Sequence, residues 1–398
     1  MRAPATLPSP EEVAQLAATV LEANWHPLGY TTPHAATYPF AWLWDSCFHA
    51  VVWAVLGRPD RALAELTHVF RTQGPTGFVP HIDYEVAPGH HADFWGRAGA
   101  SSITQPPMYG HALAELARLG LGVPERLIEA AQLGLRFLLV DRERDPASGL
   151  VTVVHPWETG ADDSPRWDHW CPGGFDHARW YEVKGALVRA VVTDRYGAPV
   201  ANPVFGAAPV GFNALVAFNA AELAELTGDG DLATAATELA AALAARWDSQ
   251  PRTWVDAGPS AASSGRLRTL DGLLPVLVDP DRTGEVLDEV LDDRHYGGTC
   301  GPAGVHRDEP SFAPHTYWRG PAWPQLTYLL WVAARRWGRA GAAEDLAARL
   351  VRGAVASGMA EYWDPDDGRG LGAVPQSWAA LAAVVRPGTD RAAGRRGP

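Results

Sequence analysis

The sequence predicts an all-α fold, a barrel of paired helices of the (α/α)6 type. Three observations point there. Amphipathic stretches with apolar residues three and four positions apart recur along the chain. Short turns join most of them in pairs. Longer stretches rich in Pro, Gly and Trp separate the pairs. In such a toroid the short turns lie on one rim and the long connections on the other, where a rigid scaffold tends to carry its chemistry.

The elements follow in order. The first helix is expected over 10–24, with Ser9 as N-cap, Pro10 at the first helical position and Val13, Leu16, Val20 and Leu21 as its apolar face. Further helices are expected over 46–56, 60–71, 107–119, 124–140, 178–191, 213–227, 231–246, 268–278, 283–291, 321–337, 342–357 and 376–385. Turn signals divide them at Gly57-Arg58-Pro59-Asp60, Leu121-Gly122-Val123-Pro124 and Gly228-Asp229-Gly230-Asp231. The long connections are 25–45, 72–106, 145–177, 292–320 and 359–375. Strand signals are weak; 150–154 reads as a hairpin edge within a loop. No βαβ alternation or GxGxxG run supports a dinucleotide fold. No fixed 34- or 40-residue period favours an α-solenoid. Composition is even, so one domain is expected over 1–385 and a loose tail over 386–398.

Composition narrows the function. Of 398 residues, 47% are hydrophobic and 20% charged, which is globular, and the formal net charge of -13 disfavours nucleic acid and anionic membranes as partners. No run approaches the ~20 apolar residues of a membrane helix. The N-terminus lacks a signal-peptide core, so the expected location is the cytoplasm. Cys47, Cys171 and Cys300 are too few and too far apart for a disulfide framework or a cysteine zinc site. No cofactor or metal is expected, and a homo-oligomer stays open.

The 17 tryptophans crowd the irregular stretches: Trp42, Trp44, Trp95, Trp157, Trp167, Trp170, Trp318, Trp323 and Trp363. Burial between helices is one explanation. Tryptophans beside carboxylates in loops suggest another, because a sugar has apolar C–H faces and polar edges. The segment 155–168 holds Glu158, Asp162, Asp163 and Asp168 together with Trp157, Trp167 and Arg166. A general acid needs its pKa raised by poor solvation or neighbouring negative charge, and Asp162 beside Asp163 fits. A plain acidic turn is the alternative. In 361–378, Asp366, Asp367 and Gly368 read as turn residues, whereas Glu361 precedes the turn among aromatics and is the better base candidate. Two further segments, 38–46 and 317–324, each place a charged group among tryptophans.

These segments together resemble glycoside hydrolase family 63, in its bacterial mannosylglycerate and glucosylglycerate hydrolase branch. The stretches YPFAWLWDS, GFVPH, SSITQPP, HPWETGADDSPRWD, YWRGPAWPQLTYL and EYWDPDDGRGLG…QSWAAL match its motifs in order across residues 38–381. The resemblance implies an (α/α)6 barrel and an inverting mechanism, with Asp162 as general acid and Glu361 as general base. It implies sugar contacts at Tyr38, Trp42, Trp44, Asp45, Gln105, Tyr317, Trp318, Gly320, Trp323 and Gln376. Arg319 joins them as a brace acting through carboxylates, with a plain buried ion pair as the alternative. Asp163 stands where the family usually has Asn. A glycerate leaving group would want a basic residue, for which Arg179 and Lys184 are the candidates, although their stretch departs from the family. The implied substrate is a small α-glucoside or α-mannoside. A trehalase-like disaccharide hydrolase is the first alternative, since trehalases carry a similar acid loop. A helical-barrel epimerase with paired catalytic histidines (His49, His81, His155 and His315 are the candidates) or a non-catalytic sugar binder are the others. His90-His91-x-Asp93 reads as a hydrogen-bonding loop rather than a metal site.

Overall fold

Six inner segments close into a ring. In chain order they are Leu43–Val55, Tyr109–Arg118, Val210–Thr227, Asp271–Leu277, Pro324–Arg336 and Ser377–Ala383. Each packs on the next, and the last returns to the first. Six outer helices back them: Pro59–Val69, Glu125–Arg136, Gly230–Ala244, Thr283–Leu291, Ala340–Ala356 and the N-terminal Pro10–Ala23, which lies against the last inner segment. The computed structural model describes residues 7–261 and 266–385, and this ring is the expected (α/α)6 barrel. The expected tail over 386–398 lies outside the described residues.

Composition explains which helices face inward. Val210–Thr227 is apolar around its whole girth and buried along most of its length, as a helix with neighbours on all sides must be. Glu125–Arg136 instead buries a stripe of Leu127, Ala131, Gly134 and Leu135 and leaves its polar face to water. At the first helix Ser9 Oγ accepts the Glu12 amide at 3.2 Å while Glu12 Oε2 accepts the Ser9 amide at 2.7 Å, a reciprocal cap.

Several boundaries differ from those read in the sequence. The first inner helix begins at Leu43, so Trp44 and Asp45 sit on its first turn and not in a loop. The stretches 268–278 and 376–385 form 3-10 segments, Asp271–Leu277 and Ser377–Ala383. Pro275 accounts for the former, because it lacks the amide an α-helix needs and clashes with the preceding turn. The helix read over 124–140 turns into a π-helix at Phe137–Asp141. Stretch 150–154 contributes single bridges, Arg144 to Val151 and Val153 to Ala207.

All long connections lead from an outer helix into an inner one, so they gather on the rim where inner segments begin. There the first and second are stitched together, Ala41 pairing with Asp83 and Trp42 with Ile82. Helix His177–Arg189 lies outside the ring against the short helix Ala92–Trp95. Under these loops Ile82, Tyr84, Trp95, Ile103, Val154 and Val188 form a second, smaller apolar cluster. Among the described residues no helix is long and apolar enough to cross a membrane.

Candidate active site

Glu361 lies where the last long connection enters the antiparallel pair Tyr362–Trp363 and Gly370–Leu371. It is 3% exposed. Its Oε1 accepts the Tyr38 hydroxyl at 3.1 Å and its Oε2 the Ala373 amide at 3.0 Å. The indole N–H of Trp378 fixes its carbonyl at 2.8 Å. Burial raises the carboxyl above the ordinary glutamate value, and the Ala373 amide and Tyr38 hydroxyl oppose the rise. Gly372 makes this grip possible: its φ is +68°, and a Cβ there would lie 2.4 Å from Glu361 Oε2. Beyond it Asp364 Oδ1 accepts the amides of Asp366 and Asp367 at 2.8 and 3.0 Å, so these residues do form the turn.

The acid loop sorts its four carboxylates. Glu158 pairs with Arg142 and accepts the Thr104 and Val154 amides at 3.1 and 2.8 Å. Asp163 bonds Lys184 Nζ and His177 Nδ1, each at 2.8 Å. Asp168 holds Arg319 through two contacts of 2.7 and 2.8 Å. The Asp162 carboxyl has no hydrogen-bond or ion-pair partner among the described residues, while its carbonyl accepts the Trp180 indole N–H at 2.8 Å. The residue is partly accessible to solvent yet lies deep among protein atoms. Burial lifts it to about 7; Lys184 opposes the rise, and Asp163 and Glu361 add to it. The extra carboxylate of Asp163 thus acts in the expected direction, but burial is the larger cause.

The aromatic residues gather around these two groups. Burial raises the Tyr38 and Tyr317 hydroxyls, and the nearby carboxyls of Glu361 and Asp162 add to the rise in both. Trp42 meets Tyr38 edge-on at 5.7 Å and His81 at 5.4 Å. Trp44 packs edge-on against Trp378 at 5.7 Å and against Gly160, where a Cβ would come within 2.5 Å of the indole. Gln105 Oε1 accepts the Trp44 amide at 3.4 Å. Asp45 accepts Gln376 Nε2 at 3.3 Å and is raised to about 8 by burial and then by Glu361. Trp318, in a left-handed backbone conformation, stacks on Trp323 at 3.8 Å, and Trp323 stacks on Tyr362 at 4.6 Å. Tyr317 abuts Trp323 and Tyr362, both at 5.4 Å.

Two expected contacts take a supporting place. Arg319 is spent on Asp168 and covers the Phe175 ring at 4.4 Å, so it ties its own loop to the acid loop. Gly320 permits a close backbone approach, since a Cβ would lie 2.8 Å from the Ala313 carbonyl carbon. Burial lowers His49, His81 and His155 to about 3; His49 bonds Ser377, His81 bonds Ser101, and His155 bonds the Lys184 carbonyl and the Trp157 amide. His315 instead pairs with Asp364 at 2.7 Å, so the four do not form the paired acid and base an epimerase would use. Three residues not singled out from sequence matter here. Trp180 and Trp378 hold the carbonyls of Asp162 and Glu361, and Tyr362 extends the stack. The first two sit in helical stretches, where nothing in the sequence distinguishes an indole donor from a core residue.

Comparison with known proteins places the chain in a family. Residues 38–379 match the family model described as the mannosylglycerate hydrolase MGH1-like glycoside hydrolase domain. A mannosylglycerate hydrolase from Thermus thermophilus is 29% identical, covering 89% of this chain and 96% of its own. A glucosylglycerate hydrolase from Mycolicibacterium hassiacum is 28% identical over 94% of this chain and 98% of its own. The crystal structure of a GH63 mannosylglycerate hydrolase from Thermus thermophilus, with Tris and D-glycerate, superposes with a TM-score of 0.78 at 26% identity, covering 93% of this chain and 99% of that one. A neutral trehalase from Saccharomyces cerevisiae shares the fold at a TM-score of 0.56 and 15% identity, covering 95% and 79%. The chain belongs to the MGH1-like glycoside hydrolases of family GH63 and is a glycosidase.

Proposed function

We propose that the chain hydrolyses a small α-glucoside or α-mannoside with inversion, Asp162 acting as general acid and Glu361 as general base. One observation carries the assignment: of four carboxylates in the acid loop, Asp162 alone has no partner among the described residues, and burial keeps it protonated up to about 7. Its proton passes to the glycosidic oxygen as the bond from that oxygen to the anomeric carbon breaks. Water attacks that carbon from the opposite face and gives its proton to Glu361. Inversion needs the two carboxyl groups roughly 6.5–9.5 Å apart, to leave room for the water. The Tyr38 hydroxyl and Ala373 amide keep Glu361 ionised and aimed. Asp45, steadied by Gln376, takes sugar hydroxyls, with Tyr38, Trp42, Trp44, Tyr317 and Trp323 as walls.

A leaving group that needs no proton separates the two roles. On an α-glycosyl fluoride, Asp162→Asn should retain most of its activity while Glu361→Gln stays inactive. On an alkyl glycoside both should be inactive. Equal losses of both variants on the fluoride remove the acid role from Asp162, and retention of anomeric configuration by NMR removes the inverting mechanism.

A further inference from the structure

The charges flanking Asp162 bear on what leaves. Lys184 is the cation nearest in effect to Asp162, yet it is 3% exposed and its Nζ bonds Asp163 at 2.8 Å. Its charge is both hidden and cancelled. Arg179 lies on the exposed side of the same helix and donates to the Pro172 carbonyl at 3.0 Å. Arg166 is held by Asp256 and Asp271, and Arg319 by Asp168. Against these committed cations stand the carboxyls of Asp45, Asp162 and Glu361, all facing one pocket. An anionic leaving group would be desolvated among carboxyls, while Lys184, Arg166 and Arg319, cations within or bound to the acid loop, are already paired.

The same region offers apolar faces. Lys184 Nζ lies 5.3 Å from the Trp157 ring centre and 5.9 Å from that of Tyr181, so these rings roof the buried ion pair. Trp157 and Tyr181 lie 6.2 Å apart, and Phe94 meets Trp157 at 6.1 Å. Tyr181 is 52% exposed, and Phe94 and Trp157 are partly so. Partly exposed rings over the Asp163–Lys184 pair, whose Asp163 adjoins Asp162 in the chain, suit the C–H face of a polyol or a second sugar ring.

We propose that the leaving-group side of this pocket takes an uncharged polyhydroxy aglycone, and that Asp163 enforces the choice by cancelling Lys184. This rests on Asp162 being the acid, since that assignment fixes where the leaving group sits. Asp163 is a specificity-determining neighbour and touches no reacting atom.

The test uses substrates matched except for charge: glucosylglycerol against glucosylglycerate, and mannosylglycerol against mannosylglycerate. Each pair exchanges a hydroxymethyl group for a carboxylate. The wild-type enzyme should favour the neutral member by about tenfold or more in kcat/KM. A preference for the glycerate member overturns the proposal. Asp163→Asn, which leaves the Lys184 charge uncompensated, should shift the ratio toward the glycerate member, and the Asp163→Asn/Lys184→Met double variant should shift it back. An unchanged ratio in a folded Asp163→Asn enzyme removes that residue's role. If that variant does not fold, the wild-type ratios still decide the aglycone class. Cleavage of an aryl α-glycoside with none of the four compounds cleaved overturns the aglycone class but leaves the hydrolase reading intact. No cleavage of any α-glycoside removes the reading beneath it.

Discussion

Glu361 and Asp162 face one pocket from opposite loops, and the protein treats their backbones alike and their carboxyls differently. A buried indole N–H holds each carbonyl at 2.8 Å, Trp378 for Glu361 and Trp180 for Asp162. Position is therefore enforced in the same way on both sides. The Glu361 carboxyl receives a hydroxyl and an amide, which favour its charged form. The Asp162 carboxyl receives no donor among the described residues, and burial favours its neutral form. The contrast teaches that the local supply of donors, more than residue type, separates the proposed proton acceptor from the proposed proton donor.

The largest effects should come from removing either proposed role. Asp162→Asn and Glu361→Gln should each lower kcat on alkyl glycosides by about 10²–10⁴-fold, with circular dichroism unchanged. A variant within a few-fold of wild type erases the comparison. Next in size is Gly372→Ala. Its Cβ would collide with Glu361 Oε2, and the backbone there is left-handed. Because Gly372 is exposed, the barrel should fold while kcat falls by about 10²-fold through displacement of the carboxylate. Normal kcat in that variant would mean that Glu361 need not sit where it does.

The two sides were not equally legible in the sequence. The barrel was readable because amphipathic stretches recur in pairs along the chain, and because short and long connections alternate. The 3-10 segment at 271–277 was not read from the sequence, although Pro275 lies within it, because the effect of that proline on an inner position depends on packing. On the base side, the turn residues Asp366, Asp367 and Gly368 identified themselves, and Glu361 stood out as the carboxylate before the turn and next to aromatics. On the acid side, four carboxylates in one loop looked alike. What distinguishes Asp162 is that Arg142, Lys184 and Arg319 arrive to satisfy the other three. Arg319 comes from 151 residues away in sequence, and no local pattern encodes such pairing. The indole donors Trp180 and Trp378 were hidden for the same reason.

A moderate effect should follow from Tyr38→Phe, which removes one donor from Glu361 and nothing from Asp162. Loss of a hydrogen bond to a charged group should cost about tenfold in kcat. The pH–rate curve sharpens the point. In the wild type, activity should fall on the alkaline side as Asp162 loses its proton near 7, and on the acid side as Glu361 gains one above the ordinary glutamate value. Tyr38→Phe should move the acid limb upward and leave the alkaline limb in place. Movement of both limbs would show the two carboxyls to be more tightly coupled than their separate surroundings suggest.

The smallest effect is on stability, and it separates burial from function. Glu65, wholly buried on the outer helix Pro59–Val69, is raised to about 8 by burial just as Asp162 is raised to about 7. Unfolded carboxyls titrate near 4, so in both cases the folded protein binds the proton more tightly. Their stabilising contribution is complete below about pH 4 and is lost as pH rises through about 7 to 8, each group steepening the loss by about 1.4 kcal/mol per pH unit between its unfolded and folded values. The melting temperature should therefore decline as pH rises toward 8. Glu65→Gln and Asp162→Asn should each flatten that decline, raising Tm at pH 9 by about 5 °C. Glu65→Gln should do so with activity intact, and Asp162→Asn with activity lost. If Asp162→Asn leaves the alkaline slope unchanged, Asp162 already titrates as an ordinary carboxylate in the folded protein, and the contrast with Glu361 loses its electrostatic basis.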